Sequence, residues 1–151
     1  IESHTMKITH RWPIAPGAPT SGLAIDTQHH ILFSGCHNKM MIMMDATNGK
    51  VLGNQPIGEG VDATRFDPET QDGFASTGDG NLTIIHEDSP TSFHVVENVP
   101  TERGARTMAL DPTTGNVFTV TATVERIPNP PPHTRPFRMV PGTFHLLIFG
   151  K

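Results

Sequence analysis

Ser21-Gly-Leu-Ala-Ile-Asp26, Asp62-Ala-Thr-Arg-Phe-Asp67 and Arg106-Thr-Met-Ala-Leu-Asp111 are three versions of one phrase, and their spacing decides the fold of this 151-residue chain. Each closes an apolar stretch on an aspartate, and the aspartates lie 41 and then 44 residues apart. Seven residues after each comes a phenylalanine: Phe33, Phe74 and Phe118. Pro68 and Pro112 follow two of the aspartates. Proline presets φ and aspartate caps the turn, so each phrase reads as strand, tight turn, strand.

The remainder of the unit repeats as well. Lys39-Met-Met-Ile-Met-Met-Asp45 corresponds to Leu82-Thr-Ile-Ile-His86 and, more distantly, to Phe144-His-Leu-Leu-Ile-Phe149. A fourth strand, Lys50 to Ile57, is matched by Phe93 to Pro100. The N-terminus copies this last element, with Lys7-Ile8 and Pro13-Ile14 lying 43 residues before Lys50-Val51 and Pro56-Ile57. Four strands in about 40 residues is the period of a β-propeller blade. The expected architecture is therefore all-β, with blades of four antiparallel strands and about three blades per chain. A soluble β-sandwich is the alternative, but a sandwich has no reason to keep this period.

Composition agrees with this reading. Hydrophobic residues make up 35% and charged residues 17%, beside 14 glycines and 14 prolines, which favours short strands and dense turns over helices. The net charge of −4 includes no basic run, so no nucleic-acid partner is expected. The longest apolar stretch, Met40 to Met44, is strand-sized, so no membrane span is expected. One cysteine, Cys36, excludes an internal disulfide and leaves the compartment open. The chain opens on Ile1, without an initiator methionine and in what reads as the middle of an element; this suggests a piece of a longer protein.

The run Gly22-Leu-Ala-Ile-Asp26, Leu32-Phe33, an apolar strand ending in Asp45, Thr47-Asn-Gly49-Lys50-Val51 and Pro56-Ile-Gly58 resembles the YVTN-type β-propeller repeat family. That family is similar to seven-bladed propellers of bacterial periplasmic and surface proteins, which implies a periplasmic or secreted setting. The resemblance covers nearly the whole chain except Thr123 to Pro141. The tetrapeptide itself is degraded, with Phe118-Thr-Val-Thr121 its nearest relative. Members of the family share no single reaction, so the likeness speaks to fold and little to activity.

The strand count refines the organisation. Residues 1–20 read as an outer strand and its connection, 21–60 and 61–104 as full blades, and 105–151 as a blade lacking its outer strand, with a proline-rich insertion over 123–142. That makes 12 strands, or three blades if the N-terminal strand completes the last one. Rings need about four to eight blades. The expected completion is therefore a homodimer forming a six-bladed ring, or further blades upstream.

In a propeller the loops between strands two and three, and those between blades, gather around the channel mouth, where ligands and partners dock. Ser21, Asp62 and Arg106 share one repeat position at the start of the innermost strand, and Asp62 and Arg106 read as an ion pair across blades. His37, Asn38, Glu59, Asp79 and Arg103 fall in the same loops. These eight residues are the ligand-binding candidates. No catalytic residue, metal or cofactor is expected. Cys36-His37 lacks the three or four converging ligands of a zinc site, and the remaining histidines are scattered, with His29-His30 in a turn on the opposite face. Asp79-Gly80-Asn81 reads as a hairpin turn, since it lacks the alternating oxygens and closing glutamate of a calcium loop. The insertion, with Pro128, Pro130, Pro131, Pro132, Pro136 and Pro141, falls among the channel-face loops and reads as an extended, polyproline-like loop over the surface, with a lid or partner-docking arm as the alternative. The function expected is a non-enzymatic binding or scaffold module recognising a protein, peptide or small polar ligand. The alternative is a propeller enzyme of hydrolase, lactonase or dehydrogenase-associated kind using a metal or quinone partner.

Overall fold

A computed structural model describes residues 4–134 and 136–150; Arg135 of the insertion, and the outermost residues of the first and last units, lie outside them. The described residues form strands and turns without a helix, so none is long and apolar enough to cross a membrane. The first sheet contains β1 (Thr20–Asp26), β2 (Ile31–Cys36), β3 (Met40–Asp45) and β4 (Val51–Pro56) in that order. The second repeats the pattern with β5 (Val61–Asp67), β6 (Asp72–Thr77), β7 (Asn81–Ser89) and β8 (Ser92–Pro100). A third, of three strands, pairs β9 (Thr107–Asp111) with β10 (Asn116–Thr121), and β10 with β13 (His145–Phe149). Every pairing is antiparallel.

The repeated aspartate works as a turn cap. Asp26 accepts the N–H groups of Gln28 and His29 at 2.8 and 3.1 Å, Asp67 that of Glu69 at 3.0 Å, and Asp111 that of Thr113 at 2.9 Å. Each carboxylate thus satisfies donors that the reversing chain leaves without a ladder partner.

The phenylalanine seven residues on fills the space between blades. Phe33 is fully buried, stacked on Phe66 with ring centroids 4.9 Å apart and edge-on to Phe93 at 6.0 Å. Ile31, Met41, Met43, Val61 and Ile85 complete this first interface. Phe74 takes the same position between the second and third blades, with Leu82, Met108 and Val117. Close approach near the axis depends on Gly22, whose missing side chain leaves room for Thr64 of the next blade.

Phe118 meets no further blade among the described residues and is only half-buried. Beside it, Val120, Leu146 and Ile148 share one face of the third sheet, directly paired across β10 and β13, and are 46%, 53% and 60% exposed. At the other end of the array, Leu23 and Ile25 of β1 are also exposed.

Two elements differ from the sequence reading. Residues 4–19 form no outer strand; a single bridge at Lys7 is the ladder contact among them. Pro13, Pro16 and Pro19 remove the donors a ladder needs. The segment instead lies on the first blade, with Trp12 against Gly49 and Gly17 against Cys36 and Ile42. The insertion is not a polyproline loop throughout. Its ends pair as a hairpin, β11 (Val124–Arg126) with β12 (Phe137–Met139), because both short stretches are free of proline; the prolines cluster toward the tip.

Phe33→Ala should destabilise the chain by about 3–5 kcal/mol, the usual loss for an aromatic truncated in a packed interior. Chemical denaturation followed by far-UV circular dichroism measures this. An unchanged midpoint contradicts the inter-blade packing described here.

Candidate functional site

The loops joining β2 to β3, β6 to β7 and β10 to β13 share one end of the sheets with the connections between blades. All eight candidate residues stand on this end, and each is held by a local interaction. The Ser21 hydroxyl and His37 Nε2 are 2.6 Å apart. Asn38 accepts the Ala18 N–H at 3.2 Å and donates to the Pro16 carbonyl at 2.9 Å, which fixes the connection entering the first blade. Glu59 pairs with Lys39 at 3.0 Å, an exposed contact of small energetic weight.

Asp79 is the structural anchor of its loop. Its carboxylate accepts the Glu59 N–H at 2.8 Å and the Thr77 hydroxyl at 2.6 Å. Partial burial works to raise its pKa, but these hydrogen bonds prevail and hold it below the ordinary carboxylate value.

The Asp62–Arg106 ion pair expected from the repeat does not form. Asp62 accepts the Thr107 hydroxyl at 3.1 Å instead, one residue along β9. The Arg106 backbone carbonyl accepts from Ser76, while its side chain runs past Gly78. Arg103 presents its carbonyl to the Thr121 hydroxyl at 2.9 Å. The two exposed guanidinium groups therefore have no carboxylate within ion-pair distance among the described residues.

Both arginines line a pocket of about 440 Å³ under the hairpin, together with Val124, Phe137, Arg138 and Met139. Arg138 is tied to Glu125 across the hairpin ladder. Arg103 and Arg106 come from the connection between blades, and the hairpin adds Arg138 beside the apolar Val124, Phe137 and Met139. Sequence reasoning placed Arg103, Arg106 and the insertion on this face but named no hairpin residue in the site. Alternation in Val124-Glu-Arg126 and Phe137-Arg-Met139 was the available signal, obscured by the intervening prolines.

Ser21 and His37 have the spacing of a nucleophile and its base. No carboxylate orients the second ring nitrogen of His37 among the described residues, so a triad is not assembled. Cys36 points away from His37 into the protein. It is buried, its thiol donates to the Ser34 carbonyl at 3.4 Å, and burial pushes its pKa up, the reverse of what a nucleophilic thiol requires.

On the third blade His145 reaches the connection that precedes β9. Its Nδ1 lies 2.8 Å from the Thr143 carbonyl and its Nε2 2.9 Å from the Glu102 carboxylate. Only the imidazolium donates from both nitrogens, so the carbonyl first, then the carboxylate, raises the His145 pKa. The added stability is full below the unfolded value near 6.5 and is lost as pH rises through the higher folded value. NMR titration should therefore show His145 above the ordinary histidine value, and Glu102→Gln should bring it partway down, since Thr143 remains. An unshifted His145 contradicts the paired geometry.

No protein-family model matches the sequence, and no curated protein does. Solved structures do. Hydrazine synthase of Kuenenia stuttgartiensis superposes with a TM-score of 0.69 at 12% identity, over 80% of this chain and 34% of that one. A chain of the mitotic checkpoint complex gives 0.60 at 19% identity, over 66% and 32%. The β-propeller domain of Myceliophteria thermophila Cps50 (Swd1) gives 0.57 at 12% identity, over 72% and 40%. At these identities the likeness establishes the fold. The chain is an array of β-propeller blades that spans between about a third and two fifths of the length of the structures it matches.

Proposed function

We propose that this chain is a protein-binding propeller module whose channel-face pocket takes a peptide segment with acidic side chains beside apolar ones. One observation carries the reading: Arg103 and Arg106, without carboxylate partners among the described residues, line a pocket together with the exposed apolar Val124, Phe137 and Met139. An arginine fork suits a carboxylate, and a mobile apolar side chain suits the hairpin wall. Exposed large side chains clustered beside charge are the usual marks of an interaction surface. The solved neighbours include a checkpoint complex, an assembly of proteins, which agrees with a scaffold role.

Panning a displayed peptide library on the full chain tests the pocket. Peptides with Asp or Glu next to Leu or Phe should be enriched. Arg103→Glu/Arg106→Glu should weaken them by at least about tenfold, since each lost charge-assisted contact is worth ~1.5–3 kcal/mol, with the thermal midpoint unchanged. Enrichment of basic peptides, or undiminished binding to the double variant, overturns the reading.

The same module needs its ends covered. A second copy would supply six blades in all and bury Val120, Leu146 and Ile148. Size-exclusion chromatography with light scattering should give twice the 16.4 kDa chain mass. A stable monomer refutes the two-copy ring and leaves the peptide pocket to its own test.

A further inference from the structure

At the other end of the first two blades, Asp26, His29 and Glu87 bring one ligand atom each to within 4.8 Å of the others. His29 Nδ1 lies 2.8 Å from Asp26 Oδ2 and 2.8 Å from Glu87 Oε1. The Glu87 side chain is fully buried, yet neither of its oxygens receives a hydrogen bond, and His29 Nδ1 makes none either. The nitrogen is thus close to both carboxylates but is not aligned with either. An unsatisfied buried carboxylate carries a large desolvation penalty, and here a second buried carboxylate lies alongside. Burial, followed by the Asp26 charge, pushes the Glu87 pKa up against the opposing pull of His29.

The repeat shows how unusual the pair is. Three residues beyond the turn aspartate the other blades carry Thr70 and Thr114, and Thr114 donates to Asp111 at 2.8 Å. In the first blade that place belongs to His29. Glu87 donates its N–H to the Gln71 carbonyl just as Ala46 donates to that of His30, so the two occupy one repeat position. An alanine in one blade is a glutamate in the next. The two departures, Thr to His and Ala to Glu, meet across the interface between blades.

We propose that Asp26, His29 and Glu87 form a binding site for a divalent transition-metal ion of the zinc kind, joining the first blade to the second. One imidazole and two carboxylates suit Zn²⁺ better than Mg²⁺ or Ca²⁺, which prefer all-oxygen sets. Tetrahedral donors at 2.0–2.2 Å from zinc stand about 3.3 Å apart, so the 2.8 Å contacts open by roughly 0.5 Å on loading. Asp26 is already oriented by the Gln28 and His29 N–H groups, a supporting shell that fixes its position. His29, a quarter exposed, provides the entry path and leaves the fourth position to water.

The test is a Zn²⁺ titration of the chelator-treated 151-residue chain by isothermal calorimetry, with Co²⁺ absorption as a spectroscopic check. One ion per chain is expected, with visible Co²⁺ bands and a raised thermal midpoint. Glu87→Gln and His29→Gln should each weaken binding by at least about tenfold, and His94→Ala, on the separate surface pair with His86, should not. If the folded wild-type chain binds no stoichiometric Zn²⁺, or if both glutamine variants bind as it does, the site is refuted. A variant that does not fold leaves the wild-type titration decisive.

Discussion

A four-stranded blade of this kind has two apolar faces and cannot keep both in water. Everything else in the molecule follows from how each face is covered. Between the first and second blades Phe33 does so with Phe66 and Phe93, and between the second and third Phe74 does so with Met108 and Val117. The aspartate-capped turns join the first two strands of each blade, and Gly22 lets the inner strands approach. At the two ends the same demand is unmet, which is why Leu23, Ile25, Val120, Leu146 and Ile148 stay exposed.

The fold was legible because it rests on a period, and a period survives when individual residues vary. Asp26, Asp67 and Asp111 mark the turns, and the phenylalanines mark the interfaces. The two misread segments are those where proline blurs the pattern. In residues 4–19 the spacing to Lys50 and Pro56 suggested a strand, but three prolines withhold the ladder donors, and the segment packs as a coil on the first blade. In the insertion, six prolines hid two short pairing stretches at its ends.

The site was legible only in its address. Loop positions follow from the repeat, so Ser21, His37, Asn38, Glu59, Asp62, Asp79, Arg103 and Arg106 could be placed on one face. Partner choice could not, because it depends on side-chain direction over one or two residues. Thr107 rather than Arg106 reaches Asp62, and the hairpin rather than a blade supplies the apolar side chains of the pocket. The cluster of Asp26, His29 and Glu87 was equally hidden. Its members come from two blades, and only the packing of the second blade on the first brings Glu87 to His29.

The docking of residues 4–19 has an optical consequence. The chain has one tryptophan and no tyrosine, and Trp12 sits on that segment against Gly49. Intrinsic emission therefore originates almost wholly from the coil that covers the first blade and hardly at all from the blades. A melting curve followed by emission tracks the coil peeling away, while one followed by far-ultraviolet dichroism tracks the sheets. Where the two curves part, the gap between them measures how far the cover comes loose before the blades do.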